Sequence, residues 1–532
     1  MLRLFRRAVI SYLSLGVTVS ANPNCKISPN DLTWPSVDEW HALNQTLQGA
    51  LIKTAPAASS CYPGNPYHSS ENCTDVKNHW TYASYHSAWP ETTGYTKDRG
   101  CSVGGLPQYI VNATTEKQIA IAMKWASQRN IRVTVKGTGH DLNGRAIVGG
   151  EDSTVGLGGL IQNGGHGWLS SHYGLASDQV YQVTVITTDG RRLVANAAQN
   201  QDLFWAVRGG GGGQFGVVTE FVLKTHPVPE NMVTGGVAFY AADQSNASAT
   251  ASWNALAHVV SLIPEIMDTG LTGSITALTK EKVVTLLGLS QSVPGAAASI
   301  SLTGFNMTTA QMNVTINKLA DQIRNATHGN YLNLTLTAPT TKSYYTHSGS
   351  TQQAGAVSLL TSRLLGRREL SDIAKEDLIT FLQRILVAED SAAGSMLLFG
   401  LQAGLGPANV PEQMRGSVLP AWREAYTHVM TYGPTINATS DPSEALKSGA
   451  EWYEAVKEPV WREWAPNTGA YMNEGNPFST TWKRDFYGDN YEKLLEIKRK
   501  YDPSESLYTW GGLGSDMWNY DLRSGLLCRT AA

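Results

Sequence analysis

The spacing of apolar positions divides the chain into stretches of different period. Residues 22–105 are polar, with Pro, Ser and Tyr throughout, and predict an extended segment with one short helix over Val37–Leu51. Regular structure begins at Thr115-Glu116-Lys117-Gln118, a helix start. Ile119, Ile121, Ala122 and Trp125 give that helix an apolar face as far as Arg129. A strand over Ile131–Lys136 follows and runs into Gly137–Asp141. Tyr181–Thr188 and Arg192–Asn196 alternate apolar and polar residues on either side of Asp189-Gly190, a hairpin signal. Asp202–Arg208 reads as a short helix and Gly216–Leu223 as a strand, after which Pro227 and Pro229 mark a boundary.

Residues 231–460 have another character, with less glycine and alternating strands and helices. Val283–Leu289 and Ala298–Gly304 predict strands, and Thr309–Asn325, Ser371–Leu386 and Glu444–Val460 predict helices. This is the pattern of one α+β domain with an antiparallel sheet. From Gly469 the pattern changes again. Asn490–Lys500 predicts a helix burying Leu494, Leu495 and Ile497, stopped by Asp502-Pro503.

Glycine is concentrated between Val133 and Leu223: at Gly137 and Gly139, through 156–167 where turn chemistry is expected throughout, and at Gly209–Gly213. Each glycine raises the entropy cost of folding and adds no side chain to a core. One reason to keep them is a backbone lying against a bulky ligand with its N–H groups turned to phosphate. Gly211-Gly212-Gly213-Gln214-Phe215-Gly216 satisfies Gly-x-Gly-x-x-Gly but follows a helix and precedes a strand. A dinucleotide fingerprint needs the reverse order, which argues against a Rossmann fold. No Gly-Lys-Ser/Thr phosphate loop occurs.

The length of 532 residues suits two to three domains. Charged residues make up only 16% and the net charge is −3, without a basic patch, which argues against nucleic acid as a partner. Arg3, Arg6 and Arg7 precede an apolar run from Ala8 to Val19 and the small residues Val19-Ser20-Ala21. That run is shorter than the roughly 20 residues of a spanning helix, so residues 1–21 read as a secretory signal peptide, with an extracellular destination and no membrane association after cleavage. Sequons cluster at Asn306, Asn313, Asn325 and Asn333, so N-glycans are expected. Cys25, Cys61, Cys73 and Cys101 lie in the loop-rich N-terminal region. Of their three possible pairings, Cys61–Cys73 with Cys25–Cys101 is the expected one, leaving Cys528 over. No Cys-x-x-Cys or His/Cys cluster points to a metal.

Four motifs together resemble one family: Gly137-Thr138-Gly139-His140-Asp141; Thr154-Val155-Gly156 with its glycine tract; Asp202-Leu203-Phe204-Trp205 with Arg208 and the five glycines; and Tyr471-Met472-Asn473 with Asn490-Tyr491 and Tyr501-Asp502-Pro503. They resemble the vanillyl-alcohol-oxidase type of FAD-linked oxidase, in its berberine-bridge-enzyme branch. The N-terminal cysteines and Trp34-Pro35-Ser36 are most similar to its secreted fungal, isoamyl-alcohol-oxidase-like members. The resemblance implies an α+β architecture. A two-lobed FAD-binding domain of the PCMH type (106–228) would be joined by a C-terminal segment (466–532), with a substrate domain (229–465) between and a disulfide-tied segment (22–105) in front. It implies FAD bonded covalently through His140. Further cofactor contacts are implied at Gly137, Thr138, Gly139, Asp141, Thr154, Val155, Gly156, Gly158, Gly159, Gly164, Gly165, Gly167, Gly174, Gly216 and Val218. Some relatives make a second flavin bond through a cysteine where this chain has Asp152 or Ser153, so one bond is expected. Tyr471 and Asn473, on a return strand that reaches the flavin in the family, are the candidate catalytic residues. Tyr471 could take a hydroxyl proton only if its pKa fell from about 10. His166 either faces the flavin or fills a turn, and His226 is expected to be structural.

One departure stands out. Family members carry a sizeable segment between the His-Asp turn and the Thr-Val-Gly element, whereas here Arg145 is followed almost at once by Ile147-Val148-Gly149-Gly150. Several strands of the second FAD lobe are therefore expected to be missing, with sheet edges and apolar surface uncovered. The leading expectation is an oxidase passing hydride from a small alcohol or hydroxylated metabolite to flavin, with dioxygen as final acceptor and hydrogen peroxide as product. The alternatives are oxidative tailoring in secondary metabolism and a flavin-free binding protein on the same fold.

Overall fold

The computed structural model describes residues 24–62, 64, 71–82, 84–85, 107–136, 150, 155–327, 331–344, 359–437, 441–521 and 525–530. Ser36 opens the first helix, Val37–Thr46, with a capping box to Glu39. Short strands β1 (Leu51–Lys53) and β2 (Tyr109–Val111) pair antiparallel beside it. Thr115 and Gln118 form a second capping box on the helix over Glu116–Gln128. Trp40, Leu43, Leu47, Ala126 and Ile131 of these two helices and their flanks bury one another.

A three-stranded sheet comes next, built from β3 (Val180–Ile186), β4 (Arg192–Asn196) and β5 (Val217–Leu223), with β3 in the middle. Asp189-Gly190 turns β3 into β4, as the alternation predicts. A seven-stranded antiparallel sheet follows. It contains β6 (Met232–Ala241), β7 (Thr272–Leu278), β8 (Ala297–Phe305), β9 (Leu332–Lys342), β10 (Thr361–Gly366), β11 (Met396–Leu401) and β12 (Ala425–Thr431), in the order β10-β12-β11-β7-β8-β6-β9. Helices Asn246–Ser261, Thr309–Thr327, Lys375–Ile385 and Glu458–Trp464 contribute buried side chains to the core on one face of this sheet. The C-terminal segment returns to the glycine-rich half. Ala470, Phe486, Tyr487, Leu494 and Leu495 share a core with Leu160, Val183, Leu203 and Phe215. Among the described residues no helix is long and apolar enough to cross a membrane.

Several local readings are corrected. Val283–Leu289 is not a strand: Glu281–Leu287 is a helix closed by Gly288 at φ 69°, and β7 and β8 pair directly, leaving no slot between them. Ile131–Lys136 forms no extended ladder, and only Val133 bridges, parallel, to Leu507. Within the glycine tract Leu157–Gln162 is helical, because Gly156 caps it and Leu160 and Ile161 find a core. The expected helix Glu444–Val460 is two, Pro442–Val456 and Glu458–Trp464, meeting at Lys457 just before Pro459. Tyr471 is not on a strand but caps a 3₁₀ turn over Met472–Glu474. Cys61–Cys73 forms as expected, whereas Cys25 bonds Cys528 rather than Cys101. The backbone explains that choice: Lys26 N donates to Leu527 O and Arg529 N to Asn24 O, laying the two ends side by side.

Candidate active site

Bare backbone makes the first wall of the site. Gly158 and Gly159, in the first turn of the Leu157–Gln162 helix, have open space among the described residues where a side chain would stand. Asn473 Nδ2 donates to Gly159 O at 3.3 Å and to Tyr471 Oη at 2.6 Å. The C-terminal turn is thereby joined to the glycine helix.

The large sheet makes the second wall. Side chains of β12 alternate: Val429 enters the helix-covered core, and His428 points to the opposite face, beside Leu364 of β10 and across from the bare Gly400 of β11. There it meets Tyr471, Trp422 and His166, with ring centroids 5.6, 6.1 and 5.4 Å away. Glu474 lies between the imidazoles, its Oε2 3.3 Å from His166 Nε2 and 3.2 Å from His428 Nδ1.

Burial sets the protonation of this cluster. It pushes His428 down to about 3, against the attraction of Glu474 and with His166 adding to the fall. It pushes the Tyr471 phenol up, as does Glu474, and the hydrogen bond from Asn473 offsets little of that. Tyr471 is therefore held as a neutral phenol, the opposite of what a proton-accepting tyrosine needs.

The other predicted residues fall into three groups. Gly137, Thr138, Gly139, His140, Asp141 and Thr154, with Asp152 and Ser153, lie outside the described residues. Gly164, Gly165, Gly174 and Gly216 make room for protein. A side chain would meet Val418 at the first, Leu160 and Ala176 at the second, Val410 at the third and Ile186 O at the last. Gly167 is tied to Ser170, and Val155 and Val218 pack against the glycine-half core. His226 is structural, stacked on Tyr173 and bonded to Gln179. His428, Glu474 and Trp422 were not anticipated. Only Glu474 had a signal nearby, as the carboxylate directly following Asn473.

A second concavity, a cleft of about 580 Å³, is lined by Phe204, Trp205, Arg208, Arg415 and Arg423. Its arginines are committed: Arg423 to Asp178, Arg208 to the carbonyls of Phe204 and Met414, Arg415 to that of Val410.

Open backbone at Gly158–Gly159 is flanked by the amide of Asn473 and the phenol of Tyr471. Comparison with known proteins points to a flavin-dependent oxidoreductase. Residues 147–196 match the FAD binding domain family and residues 470–509 the Berberine and berberine like family. The VAO-type flavoprotein oxidase VAO615 of Thermothelomyces thermophilus is 29% identical, covering 99% of this chain and 99% of that one. The FAD-linked oxidoreductase apf9 of Gibberella fujikuroi is 28% identical, covering 96% and 97%. The crystal structure of the VAO-type flavoprotein MtVAO713 from Myceliophthora thermophila C1 superposes with a TM-score of 0.83, at 24% identity over 96% of this chain and 100% of that one. Over nearly its whole length the chain is similar to FAD-linked oxidoreductases and VAO-type flavoprotein oxidases, with a berberine-like C-terminal segment. The alignment to VAO615 runs over 608 positions, beyond the 532 residues present, so that relative carries residues without counterparts here. The FAD-domain match begins at Ile147, directly after the short junction.

Proposed function

We propose that this protein is a secreted oxidase that removes two hydrogens from a small alcohol or hydroxylated metabolite, isoamyl alcohol being the nearest specific candidate. FAD, held covalently through His140, would supply the hydride acceptor, with dioxygen as final acceptor and hydrogen peroxide as product. Gly158 and Gly159, with Val155 and Gly156, would hold the flavin against bare backbone. Tyr471 stays protonated and donates to the substrate oxygen, while Asn473 fixes the phenol. The His166–Glu474 pair takes the hydroxyl proton, and the buried rings of Trp422 and His428 exclude water. The observation that carries this reading is the Asn473 amide bridging the Gly159 carbonyl and the Tyr471 hydroxyl. It supports the reading of a proton-handling cluster beside the open glycine backbone.

Peroxide release across a panel of alcohols and polyketide-like metabolites tests the reaction. Turnover of the latter alone would favour oxidative tailoring in secondary metabolism. Flavin colour retained after acid precipitation tests the covalent bond, and His140→Ala should release the flavin. The residues missing relative to VAO615 support a second reading, a flavin-free binding protein; a colourless, folded protein that takes up no added FAD would decide for it.

A further inference from the structure

His166, His428 and Glu474 come from three distant parts of the chain: the end of the glycine tract, the middle of β12 and the 3₁₀ turn after Tyr471. One donor atom from each lies within 4.8 Å of the other two. His166 Nε2 and His428 Nδ1 stand 3.3 and 3.2 Å from the same carboxylate oxygen. Ligands bonded to one tetrahedral ion at about 2.0–2.1 Å are separated by roughly 3.3 Å, so the two measured edges already have that size. His428 supplies an independent sign. Its side chain is 1% exposed, and among the described residues neither ring nitrogen makes a hydrogen bond, although Glu474 is within reach of one. Buried imidazole nitrogens without partners are costly, and a metal ion would satisfy one of them.

We propose that His166, His428 and Glu474 form a binding site for a single divalent transition-metal ion of the zinc class. Two imidazoles and one carboxylate make a three-ligand set that leaves a coordination position open. The rings of Tyr471 and Trp422 lie 4.9 and 5.7 Å from His166 and shield the site. The ion would bind without a redox step, through the lone pairs of the two imidazoles and the carboxylate. Because it would occupy the lone pairs that take the substrate proton, metal binding and alcohol oxidation would compete. The site itself does not depend on the flavin assignment.

The test is titration of chelator-stripped full-length protein with zinc chloride by calorimetry, and with cobalt chloride by visible absorption. One ion per chain is expected, with the intense absorption of tetrahedral cobalt. Glu474→Gln, at a half-exposed position, and His166→Gln should each weaken binding more than tenfold while leaving the circular dichroism unchanged. Absence of stoichiometric binding, or binding unaffected by both variants, would overturn the proposal. Flavin colour, recorded on the same samples, reports separately on the oxidase reading.

Discussion

Arg363 on β10 and Asp485 on the C-terminal helix Trp482–Tyr487 are joined by a buried ion pair, Nη1 to Oδ1 at 2.9 Å. Burial works against ionisation of Asp485, yet Arg363, Thr481 and Arg484 together hold its carboxyl below the usual range. The pair clamps the large sheet to the returning segment: Leu364 N donates to Gly469 O and Ala470 N to Asp485 O, directly before Tyr471. Without Arg363 the buried Asp485 carboxylate keeps only Thr481 and the exposed Arg484, so Arg363→Met should destabilise by up to about 3–5 kcal/mol. Urea denaturation checks the loss. Activity should fall with it, because the backbone leading to Tyr471 is released.

Asn473→Ala removes the donor that ties Tyr471 to the glycine helix. Each hydrogen bond is worth about 0.5–1.5 kcal/mol, so kcat/KM for alcohol oxidation should drop roughly ten- to a hundredfold. The melting temperature should change little, since Asn473 is exposed in part. Steady-state peroxide release beside a melting curve separates the two effects.

Cys25 and Cys528 are 503 residues apart in sequence and bring the ends of the described chain together. Cys528→Ser should lower stability by on the order of 2–4 kcal/mol. Limited proteolysis should then cut first near the freed ends, as mass spectrometry of the fragments would show.

Lys457, at the junction of two helices, is fully buried and donates from Nζ to Thr431 Oγ1 at 2.7 Å and to Tyr432 O. Burial lowers its pKa from 10.5 to about 7. Between those values the unfolded chain keeps a proton that the folded chain has released, so this group makes stability rise with pH across that window. Lys457→Met should flatten the rise, which is on the order of a few kcal/mol in total. Melting temperatures at pH 7, 8 and 9 would show it.

Much of the architecture was legible in sequence. The capping residues Thr115 and Gln118, the Asp189-Gly190 turn, and the helices Thr309–Thr327 and Tyr491–Tyr501 are local: their signals lie within a few residues of the structure they specify. The β-rich run Val283–Leu289 misled because its neighbours in the sheet were already paired. The resemblance to FAD-linked oxidases was legible as well, since the motifs that carry it keep their order along the chain.

What the sequence by itself determined, then, is the resemblance to FAD-linked oxidases, much of the order of elements and the concentration of glycine between Val133 and Leu223. Only the tertiary structure decided that Cys25 meets Cys528, that most of the remaining tract glycines accommodate protein, and that His166, His428 and Glu474 converge. The physical reason is range. A turn or a cap is written into adjacent residues, but a contact across hundreds of residues exists only once a sheet sets which side chain points to which face.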